Sequence, residues 1–120
     1  MTTIHHVQLA MPPGGEAAAE DFYGRLLGLT PIAKPPHLES RGGRWFACGP
    51  IEVHLGVEEP FSPARKAHPA FLVEDLSAVR ASLARRRHEI VDDTQIGGFD
   101  RFYTTDPFGN RIEILAENAG

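Results

Sequence analysis
Four short stretches of the chain alternate apolar and polar residues, the mark of half-buried strands. Side chains alternate across a strand, so parity decides which residues share a surface. In Ile4–Met11 (IHHVQLAM), Val7, Leu9 and Met11 form the apolar parity, and His6 and Gln8 take the other. In Ile51–Val57 (IEVHLGV), Ile51, Val53 and Leu55 pack while Glu52 and His54 turn away. In His68–Val73 (HPAFLV), Phe71 and Val73 pack, with His68 and Ala70 opposite. In Arg111–Leu115 (RIEIL), Ile112 and Ile114 pack, with Arg111 and Glu113 opposite. His6, His54, His68 and Glu113 thus all fall on polar parities.

Between these strands the period lengthens. After the turn Pro12–Gly15, a helix is expected from about Glu16 to Leu27, with Ala18, Phe22 and Leu26 on one face and Gly28 ending it. Short strands follow near Thr30–Ala33 and Arg44–Cys48, with Gly42-Gly43 and Gly49-Pro50 as turns. The second half repeats the order. Asp75 is placed to cap a helix running to about Arg87, with Leu76, Val79 and Leu83 on one face. Strands are then expected near Glu89–Asp92 and Phe99–Thr105, and Asp106-Pro107-Phe108-Gly109-Asn110 carries strong turn chemistry before the closing strand. The pattern is βαβββ twice: a module over about 4–57, a connector over 58–67 and a module over about 68–117, within one domain of 120 residues. The fold class is α+β. A pseudo-twofold relation between the modules would bring the four polar-parity residues together.

Composition narrows the function classes. An apolar fraction of 42% and a charged fraction of 23% describe a globular domain rather than a disordered one. A net charge of −4 gives no electrostatic reason to expect nucleic acid or an anionic membrane as partner. The run Arg85-Arg86-Arg87 falls at an expected helix C-terminus, where cations complement the helix dipole. The single cysteine, Cys48, forms no internal disulfide and suits a reducing compartment. With no signal-like N-terminus and no membrane-length apolar run, a cytoplasmic location is expected.

Two or three imidazoles and a carboxylate on one concave surface are the ligand set of a catalytic divalent metal. By the same parity argument, His5 shares the apolar side with Val7 and reads as structural, while His37 and His88 fall in a loop and at a helix end. Cys48 shares parity with Arg44 and Phe46, which puts it in reach of a cavity, but no partner that would activate its thiol is identifiable.

The segments IHHVQLAM, FYGRLLGL, HPAFLVEDL and FYTTDPFGNRIEIL resemble the vicinal oxygen chelate superfamily, over nearly the whole chain from Ile4 to Glu117. That superfamily includes glyoxalase I, extradiol dioxygenases, fosfomycin-resistance transferases and bleomycin-resistance proteins. The resemblance implies two βαβββ modules forming a curved mixed β-sheet around a cavity, with helices on the outside. It implies His6, His68 and Glu113 as metal ligands, and His54 as a fourth ligand or an acid/base, because His54 falls where many members place Glu or Gln. The metal would be Fe2+, Mn2+, Zn2+, Ni2+ or Co2+, accepting two adjacent oxygens of a small-molecule substrate in a lyase, isomerase or dioxygenase reaction. Extradiol-type chemistry would add Tyr103 as a second catalytic candidate beside His54, and Arg44, Arg101 and Arg111 are candidates for a substrate carboxylate. His54 in place of a glutamate speaks against glutathione-dependent glyoxalase chemistry. Gln8 and the acidic stretch Asp92-Asp93 speak against fosfomycin inactivation. The alternative is a binding protein without catalysis, like bleomycin-resistance proteins, with Trp45, Phe46, Phe99, Phe102 and Phe108 lining a stacking groove. Short chains of the superfamily commonly pair, so a homodimer is expected.

Overall fold
The alternating stretches become strands of two four-stranded sheets in the computed structural model, which describes residues 1–118. The first sheet is built from β1 (His6–Met11), β2 (Thr30–Ile32), β3 (Arg44–Cys48) and β4 (Ile51–Val57), in the order β1-β4-β3-β2. The second is built from β5 (Ala70–Leu72), β6 (Val91–Asp92), β7 (Phe99–Thr105) and β8 (Arg111–Glu117), in the order β5-β8-β7-β6. In both, the leading strand runs parallel to the closing strand, and the other pairs are antiparallel. The fold is α+β with two mixed sheets, neither closed into a barrel. The chain divides into two compact units, one spanning Met1–Ala64 and the other beginning at Arg65.

In the first unit Leu9, Met11, Val53, Leu55 and Phe46 are buried on the apolar parity. The helix that covers them differs from the expected one. A single α-helical turn, α1 (Glu16–Ala19), passes into a π-helical stretch, Glu20–Leu26. The adjacent rings of Phe22 and Tyr23 are both fully buried with Ala19, and Tyr23 packs on Phe46 at a centroid distance of 5.8 Å. Regular α-helical spacing turns neighbouring residues about 100° apart. The wider turn, seen in Leu27 N–H donating to the Phe22 carbonyl at 2.9 Å, lets both rings reach the sheet. The buried face is therefore Ala19, Phe22 and Tyr23 instead of Ala18, Phe22 and Leu26. Pro36–Arg41, read as loop, forms a 3-10 helix. Its return to the sheet needs Gly43 at φ +88, where a Cβ would lie 2.1 Å from the Leu55 carbonyl oxygen.

In the second unit Phe71, Phe102, Ile112, Ile114 and Ala116 are buried, together with Leu83 of α2 (Leu76–Arg85). Asp75 caps α2 as expected, its carboxylate accepting from the Ala78 N–H at 3.0 Å. The helix stops at Arg85, two residues short of the expected end, and Arg87 takes a positive φ of 61°. The Asp106–Asn110 turn is a closed hydrogen-bonded unit: Asp106 Oδ1 accepts from the Phe108 and Asn110 N–H groups, each at 2.9 Å, and Oδ2 accepts from Asn110 Nδ2 at 2.9 Å.

Two leading strands are shorter than the pattern predicts. Ladder pairing begins at His6 rather than Ile4, and at Ala70 rather than His68. Pro69 explains the second case, because it has no N–H to give to a ladder. His68 consequently precedes the strand. The strand expected over Glu89–Asp92 is reduced to Val91–Asp92.

Candidate functional site
The two sheets repeat one register. His54 of β4 sits opposite Trp45 on β3 and Gln8 on β1. Glu113 of β8 sits opposite Tyr103 on β7 and Ala70 on β5. His54 and Glu113 are therefore equivalent positions, as are Gln8 and Ala70, Trp45 and Tyr103, and by extension two residues back, His6 and His68. Both central residues are buried although polar, His54 at 4% exposure and Glu113 at 6%. A buried ionisable side chain on a sheet face demands partners, and each has them.

In the first unit the His54 ring lies between two others. Trp45 stacks on it at 3.8 Å with parallel planes, and His6 stacks at 4.3 Å and 14°. His54 Nε2–H donates to Glu52 Oε1 at 2.8 Å, which leaves the Nδ1 lone pair free in the neutral ring. That bond holds the Glu52 carboxyl below the usual carboxylate range, with His5, His54 and His6 adding to it electrostatically against the cost of desolvation. Glu52 was absent from the expected set. Its signal was local, two residues from His54 on the same strand parity. His5, expected to be structural, is exposed, and its Nδ1 meets His6 Nδ1 at 2.9 Å.

In the second unit His68 Nε2 lies 2.9 Å from Glu113 Oε1, and His68 Nδ1 lies 2.9 Å from the Lys66 carbonyl oxygen. A carbonyl only accepts, so Nδ1 carries a hydrogen. In the neutral ring the Nε2 lone pair then faces a carboxylate oxygen, and two acceptors at this distance need a cation between them. A proton satisfies that need. A divalent metal held by the imidazole nitrogen and the carboxylate oxygen would do so as well. The Lys66 carbonyl is the kind of outer hydrogen bond that fixes the tautomer of a metal-binding histidine.

Glu113 Oε2 is 3.5 Å from Arg101 Nη1, which also donates to Tyr103 Oη at 2.6 Å. Arg101 further pairs with Asp93 at 3.2 Å and donates to the Thr94 carbonyl. The Tyr103 ring has the Arg111 guanidinium 3.9 Å from its centroid and the His68 ring edge-on at 5.1 Å.

Several expectations are corrected. Arg101 is committed to Glu113, Tyr103 and Asp93, and Arg44 turns to the helix side, where Nε donates to Glu20 Oε1 at 2.6 Å. Neither is a spare cation for a substrate carboxylate. Phe46 and Phe102 are fully buried in the apolar cores and line no stacking groove. Cys48 pairs with Ile51 on the apolar parity, away from His54, and burial pushes its thiol upward, as for an unreactive cysteine. His37 is exposed on the 3-10 segment, and His88 Nδ1–H donates to the Thr105 carbonyl at 2.9 Å.

Among the described residues, no three or more His, Cys, Asp or Glu side chains gather into a group able to hold a metal ion. Each unit offers a pair, His6 with His54 and His68 with Glu113. The donor types fit a divalent first-row metal. No helix among the described residues is long and apolar enough to cross a membrane.

Comparison with known proteins supplies the family context. The model of the glyoxalase/bleomycin resistance protein/dioxygenase superfamily matches residues 3–114. A glyoxalase family protein from Bacillus anthracis is 45% identical, with a TM-score of 0.91 over 98% of this chain and 97% of that one. A glyoxalase/dioxygenase from Nostoc punctiforme shares the fold at 22% identity, with a TM-score of 0.79 over 97% and 91% of the two chains. A lactoylglutathione lyase from Agrobacterium tumefaciens shares it at 19% identity, with a TM-score of 0.74 over 97% and 94%. No curated protein matches the chain significantly.

Proposed function
Because the chain belongs to the glyoxalase/bleomycin resistance protein/dioxygenase superfamily, we propose that it is a divalent-metal-dependent enzyme acting on a small substrate with two vicinal oxygens. His6, His68 and Glu113 are its ligands in this reading, and His54 is a fourth ligand or the acid/base. The observation that carries it is the His68–Glu113 pair, two acceptors at 2.9 Å held in place by the Lys66 carbonyl. When bound, the cation supplies Lewis-acid polarisation of adjacent substrate oxygens.

The protein groups divide the remaining work. His54, clamped between Trp45 and His6 with Nε2–H on Glu52, keeps one defined tautomer and offers Nδ1 as ligand or proton acceptor. Tyr103 Oη accepts from Arg101, which leaves its own O–H to donate to a substrate oxygen. Arg101 shares its charge among Glu113, Tyr103 and Asp93, orienting the carboxylate from behind. These roles suit a lyase, isomerase or dioxygenase. The protein is further proposed to act as a homodimer in the cytoplasm.

The test is metal analysis of untagged protein purified without chelator, by plasma mass spectrometry. A stoichiometric first-row metal supports the reading, and none bound at neutral pH overturns it. A second reading, a binding protein without turnover, draws on the His6–His54–Trp45 stack, which is a ready platform for a planar ligand.

A further inference from the structure
A cleft of about 250 Å³ opens within the first unit, beside this ring stack. Gln8, Trp45 and Gly56 line it from the sheet, and Lys34, Leu38 and Arg41 line it from the segment between β2 and β3. Gln8 and Trp45 are the residues opposite His54 in the register, so the cleft shares the candidate site's face of the sheet.

Its charge is one-sided. Two cations line it and no aspartate or glutamate does. The neighbouring cavity at Lys34 is balanced, since Glu20 and Glu39 line it along with Arg44. Arg41 has no ion-pair partner and the Gln8 amide no hydrogen-bond partner among the described residues. Lys34 Nζ donates to the neutral Gly42 carbonyl, which leaves two further N–H groups. Glu16 feels the charge of Lys34, but its carboxylate is engaged by the Gly43 N–H at 2.8 Å. Gly56 matters here, because a Cβ there would come within 2.6 Å of Gln8 Nε2; glycine lets the amide lie across the sheet. Leu38 and the Trp45 ring supply apolar wall. In a chain of net charge −4, such a cleft draws anions locally.

We infer that this cleft binds the oxyanion end of the substrate, with Arg41, Lys34 and Gln8 as donors and the apolar stem against Trp45 and Leu38. The inference rests on the proposed site beside it and names the substrate class: a small organic anion, carboxylate or phosphate ester, whose far end reaches His54.

Trp45 is the chain's one tryptophan, so its emission reports the surroundings of its own ring, the cleft and the His54 stack together, and the cleft variants assign the signal. Hexanoate, butyl phosphate and neutral hexanamide are titrated against protein as purified and after EDTA treatment. Tryptophan emission and the proton line widths of each probe are followed. Saturable binding of at least one anion and not of the amide is expected, and the better anion identifies carboxylate or phosphate. Arg41→Gln and Lys34→Gln each weaken it by about tenfold, the loss of one charged hydrogen bond. Arg25→Gln, on the exposed helix surface, leaves it unchanged. Equal binding of the amide overturns the inference, as does anion binding indifferent to both cleft variants, or no response to either anion at tens of millimolar. Both preparations are informative. Anion binding that survives EDTA treatment is expected, because no proposed metal ligand lines the cleft. Protein that holds no metal as purified yet binds anion overturns the metal reading alone, and protein that binds metal without anion overturns this inference alone.

Discussion

His68 and Glu113 lie forty-five residues apart in the chain and meet at 2.9 Å, Nε2 to Oε1, with the histidine's other nitrogen tied to the Lys66 carbonyl. The pair is pre-oriented by backbone that carries no sequence signal of its own. Pro69 ends strand pairing just before Ala70, which frees His68 to lean over the sheet, and Pro69 still accepts from the Glu113 N–H at 3.0 Å.

Removing either member deletes a donor without touching the apolar parity beneath it. His68→Ala and Glu113→Ala are expected to lose bound divalent metal, with affinity reduced by tenfold or more, while keeping the wild-type circular dichroism spectrum. His5→Ala should retain the metal, because His5 is exposed, its ring meets His6, and its contact with Glu52 through the backbone carbonyl survives the substitution. Isothermal titration with Zn2+ or Mn2+ compares the three. Unchanged affinity in the first two variants would sink the ligand assignment.

What was legible in the sequence was whatever alternation or a turn residue encodes locally. Val7, Leu9 and Met11, or Ile112 and Ile114, announce a buried face by spacing alone, and Asp75 and the Asp106–Asn110 turn announce themselves by chemistry. The π-helical stretch was hidden, because Phe22 and Tyr23 are neighbours and only the sheet's demand for both rings widens the turn. The pairing of Arg101 with Asp93 and of Arg44 with Glu20 was hidden too. Strand parity puts Arg101 on the Glu113 face but says nothing about which loop acid folds back onto it.

Asp106 is 3% exposed and accepts from two backbone N–H groups and the Asn110 amide. Asp106→Ala strands those donors in a buried turn. A loss of about 2–4 kcal/mol is expected, read from the midpoint of urea unfolding, with Asp106→Asn intermediate because its carbonyl still accepts. A shift below about 0.5 kcal/mol would show that the turn does not depend on the carboxylate.

The Glu16 carboxyl is held below the usual carboxylate range, first by the Gly43 N–H and then by Arg44 and Lys34. A depressed folded value means that its stabilising effect is present above the ordinary carboxylate pKa and lost as pH falls through the folded value. Glu16→Gln should therefore melt below wild type at pH 7, with the gap closing in acid below about pH 4. The carboxylate is mostly in water, so the difference should stay under about 1 kcal/mol. A gap that widens in acid would reverse the assignment.

The proposed homodimer has a direct check. Multi-angle light scattering at micromolar concentration should give twice the chain mass of 13.2 kDa, and a clean monomer would remove the dimer from the functional reading.

His54 decides the class of chemistry. Its ring is locked between Trp45 at 3.8 Å and His6 at 4.3 Å, with Nε2–H on Glu52, so substitution removes one defined nitrogen rather than a mobile group. If that nitrogen ligates, His54→Ala loses metal as His68→Ala does, and a four-ligand site of isomerase or lyase type follows. If it moves a proton, His54→Ala keeps the metal while turnover falls by about a hundredfold or more. We favour proton transfer, because Glu52 provides the orienting acceptor that a histidine base requires. Glu52→Gln then tests the same point from one atom away: it keeps the metal and shifts the pH dependence of turnover, whereas His54 acting as a ligand would show reduced metal affinity in both variants.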